Sequence, residues 1–136
     1  MKKWILILTL IGSSVVFSDY RTNMISKMKT KEERISTTYR GQGISGEVQI
    51  MEEIQNAWDY ELNAIYKLLM SKLSDAQKIK LRNEEREWLK RRERTVKNAT
   101  EETMGGIGAA TTYYSIMTEW TRDRAIELAR RYDNLK

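Results

Sequence analysis

Asp59-Tyr60-Glu61-Leu62-Asn63-Ala64-Ile65-Tyr66-Lys67 lies midway along the most regular amphipathic stretch of this chain. Around it, Met51, Ile54, Trp58, Leu62, Ile65, Leu69 and Leu73 recur at spacings of three and four, which places them on one helical stripe. At roughly 100° per residue, Asp59, Asn63 and Tyr66 share one flank of that stripe and Glu61 takes the other. The spacing predicts a helix from about Glu47 to Lys72, with an apolar seam edged by polar groups for later helices to meet.

Ser74-Asp75-Ala76-Gln77 follows, with Ser74 as cap and Gln77 able to reach back. A second helix is expected from Asp75 to Glu102, with the stripe Leu81, Glu85, Trp88, Arg92, Val96 and Ala99. Gly105, Gly106 and Gly108 then provide open backbone. A third helix is expected from Thr112 to Asn134, carrying Tyr113, Met117, Trp120, Thr121, Arg124, Leu128 and Tyr132. Charges stand in line with apolar residues in both later helices, and an unpaired charge at a packed seam is costly. Short connections favour antiparallel neighbours. Folding at Ser74 brings Asn63 near Glu85 and Asp59 towards Arg92. Folding at Gly106 sets Val96 opposite Ile116 and brings Trp88 and Glu85 towards Arg124. Asp59–Arg92 and Glu85–Arg124 ion pairs are therefore expected, with Asn63 and Tyr66 beside them. The fold expected is all-α, an antiparallel three-helix core with room for one short extra N-terminal helix.

Towards the N-terminus, residues 1–18 read as a signal peptide. Lys2 and Lys3 precede an apolar run from Trp4 to Ile11, and Val16-Phe17-Ser18 resembles a cleavage site, so the mature chain would start near Asp19. The apolar run falls short of the roughly 20 residues that span a membrane comfortably. Residues 19–46 form a polar leader segment. Thr30-Lys31-Glu32-Glu33 looks like a capping box and predicts a short helix over Lys31 to Thr38. Gly41, Gly43 and Gly46 then loosen the connection, and residues 47–136 make up the main helical domain.

Composition excludes much common chemistry. The 136 residues contain no His, Cys or Pro. That removes imidazole bases, thiolate ligands, disulfides and the usual helix breaker. Lys+Arg number 24 against 19 for Asp+Glu, a net +5; without Lys2 and Lys3, 22 against 19 leaves +3. The charges alternate in sign, as on a solvated helical surface, and no aromatic–basic ladder indicates nucleic acid.

At these residues the chain resembles the lysozyme inhibitor LprI-like N-terminal domain family. The pattern is Asp-x-Glu-Leu-Asn-x-x-Tyr-Lys, then Gln-x-x-Trp-x-x-x-Arg-Asp, a Gly-Gly loop, and Thr-x-x-Arg-x-x-x-Leu. It is met here by Asp59, Glu61, Leu62, Asn63, Tyr66 and Lys67, then Glu85, Trp88, Arg92 and Glu93, then Gly105-Gly106, then Thr121, Arg124 and Leu128. Glu85 stands where the family usually has Gln. Family cysteines would align near Val96 and Ile116, where this chain has an apolar pair.

The resemblance implies a periplasmic or secreted helical binding domain with no catalytic activity of its own. The alternative it implies is a lysozyme (muramidase) inhibitor acting by direct protein binding. Animal-type lysozymes are strongly basic, and this mature chain is basic too, so complementary charge does not favour that pairing. The candidate residues, structural or binding, are Asp59, Glu61, Asn63, Tyr66, Glu85, Trp88, Arg92, Thr121 and Arg124. No catalytic residue, metal site or cofactor is expected. Asp59 with Glu85 is the one carboxylate pair that could run glycoside hydrolysis, but an arginine partner keeps a carboxylate ionised and unsuited to an acid role. The partner it implies is lysozyme or another envelope protein, and neither nucleic-acid binding nor stable membrane insertion after signal cleavage is expected.

Overall fold

The apolar stripe read around Leu62 becomes the central element of a four-helix arrangement. The computed structural model describes residues 19–135, so the signal segment expected over 1–18 lies outside the described residues. The helices are α1 (Tyr20–Tyr39), α2 (Gly43–Met70), α3 (Asp75–Glu101) and α4 (Gly106–Asp133). Among the described residues there is no strand, and no helix is long and apolar enough to cross a membrane.

The chain runs up, down, up, down, so α2 and α4 point the same way. They are also the closest-packed pair, while α3 packs on α4 and α1 lies across α2 and α4. Small residues allow the close approach, because interaxial distance follows side-chain size. Helix α4 offers α2 a stripe of small side chains, Thr121, Ala125 and Ala129, all buried, and Gln55 of α2 reaches Thr121 directly. Leu62, Ile65, Leu69, Leu81, Trp88 and Leu128 fill the space around them.

A three-helix core with a short extra helix understates α1. This helix has 20 residues and buries Met24, Met28 and Ile35. Thr30 does not begin it; its hydroxyl donates to Ser26 O at 3.4 Å inside a continuous helix. The true cap is Asp19, whose side chain accepts from Thr22 N at 2.7 Å. Asp133 at the end of α4 accepts from Tyr20 N and Arg21 N at 2.9 and 3.0 Å. A carboxylate there meets the positive end of the α1 dipole and satisfies N–H groups the helix itself leaves open.

The other boundaries follow local rules. Ser74 and Gln77 form the reciprocal capping box of α3. Helix α4 starts at Gly106, six residues before Thr112, because Gly105 and Gly106 alone take the positive φ of the turn, 81° and 65°, and Gly108 is helical.

Gly46 is not a flexible link. A Cβ there would lie 2.6 Å from Tyr39 O and 2.7 Å from Gln42 Cβ. Gly46→Ala is therefore expected to destabilise by about 1–3 kcal/mol, since a backbone oxygen cannot step aside. Gly108→Ala meets open space and is expected to stabilise by about 0.5–1 kcal/mol through helix propensity. Thermal melts of the two variants should shift in opposite directions.

Candidate functional site

Because α4 draws α2 inward, α2 and α3 are left apart along their length, with a groove of about 380 Å³ between them. Asp59, Leu62, Asn63 and Tyr66 line it from α2; Arg82, Glu85, Arg86, Trp88, Leu89 and Arg92 line it from α3. Six of the nine candidate residues thus share one groove, namely Asp59, Asn63, Tyr66, Glu85, Trp88 and Arg92.

The groove's inner wall is a buried polar layer. Arg92 Nη1 donates to Thr121 Oγ1 at 3.1 Å, and Gln55 Nε2 donates to the same oxygen at 3.3 Å. Thr121 in turn donates to Met117 O at 2.6 Å. One hydroxyl on α4 therefore joins α2 and α3 with its hydrogen-bonding capacity filled. The Arg92 guanidinium also stacks 4.8 Å from the Trp88 ring centroid, a cation–π contact that fixes its plane.

Asp59 does not pair with Arg92. Its carboxylate accepts from Asn63 Nδ2 at 3.2 Å within α2, and that amide also donates to Asp59 O at 2.9 Å. With the two helices held apart, Arg92 is taken by Thr121 and Trp88 instead.

Arg124 and Glu85 do meet. Glu85 Oε1 lies 2.6 Å from both Nε and Nη2 of Arg124. Arg124 Nη1 reaches Glu127 Oε2 at 2.8 Å, and Arg131 joins Glu84 and Glu127 at 2.6 Å each. This network fastens α3 to α4 behind the groove.

Burial raises the Glu127 carboxyl, but hydrogen bonds and charge from Arg124 and Arg131 outweigh it and hold it below its ordinary 4.5. A depressed folded-state pKa contributes stability that is present above the unfolded value and is lost as pH falls through the folded one. Melting temperature should therefore drop below about pH 4.5, and Glu127→Gln should flatten that acid limb. An unchanged acid limb would show that the network does not carry the effect.

Glu61 belongs to a different surface. It is 2% exposed, faces α1, and accepts an ion pair from Lys27 at 2.6 Å. Trp58 beside it donates to Glu32 Oε1 at 2.6 Å. Both tie α1 to α2 and leave the groove to the other flank.

Sequence reasoning missed Gln55, Arg82, Arg86 and Leu89. The i+4 spacing of Gln55 to Asp59 gave a signal, since it continues the polar flank of Asp59, Asn63 and Tyr66 by one turn, and there the flank passes from the groove into the buried layer. The three others look like ordinary exposed positions until α3 is placed. Among the described residues no cluster of three or more His, Cys, Asp or Glu side chains could hold a metal ion.

No curated protein and no solved structure matches the chain. The family model described as lysozyme inhibitor LprI matches residues 28–128, a span that begins at Met28 in the core face of α1, includes every groove residue and ends at Leu128. With most of its length matched, and with the motif residues of α2, α3 and α4 converging on one groove and its inner wall, the chain belongs to the lysozyme inhibitor LprI family.

Proposed function

We propose that this is an exported, non-catalytic binding domain that engages a protein of the cell envelope through the groove between α2 and α3. The observation that carries the reading is the convergence of Asp59, Asn63, Tyr66, Glu85, Trp88 and Arg92 on that one concave surface. Concave sites with an apolar floor and a few fixed polar groups are where ligands bind. The carboxylates there are engaged, Glu85 by Arg124 and Asp59 by Asn63, which supports binding over acid–base catalysis. Export rests on the charged and apolar segments before Asp19, and the periplasm or the exterior is the proposed location.

The family's name favours a second reading, inhibition of lysozyme by direct binding. Three arginines against two carboxylates line the groove, so a basic lysozyme would have to approach by a surface other than its basic one.

The test is an inhibition assay with the chain from Asp19 against several muramidases at low and moderate salt. Saturable inhibition that survives moderate salt selects the inhibitor reading. No inhibition by a well-folded sample, together with capture of an envelope protein that is lost in an Arg82→Glu/Arg86→Glu variant, selects the broader one. Turnover of glycan would overturn both.

A further inference from the structure

The groove's cations are less well satisfied than its anions. Arg92 is 8% exposed, its Nε has no hydrogen-bond acceptor, and among the described residues no carboxylate pairs with it. Thr121 and the Trp88 ring hold its guanidinium, but neither supplies a negative charge. A buried cation without a counter-charge is costly, and an anion brought into the groove would offset that cost. Arg82 and Arg86 stand exposed on the same groove and, among the described residues, have no ion-pair partner either. Glu85 is spent on Arg124.

We propose that the groove is a slot for an acidic peptide segment, its carboxylate held among Arg82, Arg86 and Arg92 and a neighbouring apolar side chain laid on Leu62, Trp88 and Leu89. This rests on the reading of the domain as a protein-binding module and names the chemistry of its partner. Guanidinium forks match a carboxylate in two parallel hydrogen bonds. A carboxylate is favoured over a phosphate because Asp59 and Glu85 stand in the same lining. They would repel a doubly charged group or a polyanionic backbone more than one compact charge. A groove of about 380 Å³ accommodates one or two side chains of an extended segment.

Peptides Leu-Glu-Leu, Leu-Gln-Leu and Leu-Lys-Leu, amidated at the C-terminus and labelled with an uncharged fluorophore, would be titrated with the chain from Asp19, read by anisotropy. Saturable binding of the Glu peptide is expected, with at least about tenfold weaker binding of the Gln peptide. The Arg82→Gln/Arg86→Gln variant should lose the Glu peptide to a similar degree while its circular dichroism stays unchanged, because both side chains are exposed. Equal affinity for the Glu and Gln peptides overturns the proposal, as does no saturable binding at millimolar peptide. Tighter, arginine-dependent binding of anionic vesicles or a labelled oligonucleotide would overturn it as well. An envelope protein captured equally by wild type and variant would remove the slot and leave the protein-binding reading standing. Peptide binding with no envelope protein captured would do the reverse.

Discussion

Thr121→Val should lower stability by about 3 kcal/mol, although it replaces a fully buried side chain with one of nearly equal volume. The loss comes from what the hydroxyl leaves behind. Arg92 Nη1 and Gln55 Nε2 both donate to it, and each buried donor left without an acceptor costs about 1–3 kcal/mol, with the charged one at the upper end. Denaturant unfolding of Thr121→Val, Arg92→Met and the double variant would measure the coupling. In the Arg92→Met background, Thr121→Val should cost at least about 1 kcal/mol less than in the wild type, since groups sharing one acceptor are not additive. Simple additivity would show that the layer does not act as a unit.

Met28→Ala carries the second large effect, about 2–5 kcal/mol, the usual range for emptying a packed core site. Met28 is 0% exposed and lies in the same cluster as Ile65 and Leu128. The substitution therefore asks whether α1 is part of the folding unit. Met104 is fully exposed, and Met104→Ala should change stability by less than about 0.5 kcal/mol. If α1 were an appendage, both variants would unfold at the wild-type denaturant concentration.

These two sites are joined by geometry. Met28 helps to seat α1 against α2 and α4, and Thr121 lies on the face where α2 and α4 approach. Packing α2 onto α4 keeps it from closing on α3, and the groove is the space that remains. Loosening that interface should therefore alter the groove before it unfolds the domain.

Much of the architecture was legible along the chain. The stripe from Met51 to Leu73, the Ser74 capping box and the three helices of the motif follow from spacing and propensity, which are local. Glu85 and Arg124 could also be matched from helical register, because a short turn at Gly106 constrains the neighbours α3 and α4. Helix α1 was not legible as core, because Met24, Met28 and Ile35 are separated by polar residues and give a sparse stripe. Nor was the burial of Ala125 and Ala129, since alanine reads the same on a surface as at a close contact.

The sequence by itself determined the apolar stripes of α2, α3 and α4, and that Asp59, Asn63, Glu85 and Arg92 come near one another. Only the tertiary structure decided their partners. Asp59 turned to Asn63, Arg92 to Thr121, and Gln55 joined them, because a hydrogen bond is lost when donor and acceptor part by fractions of an ångström beyond about 3 Å. Those fractions are set by how closely α2 and α4 pack, a distance that no single helix encodes.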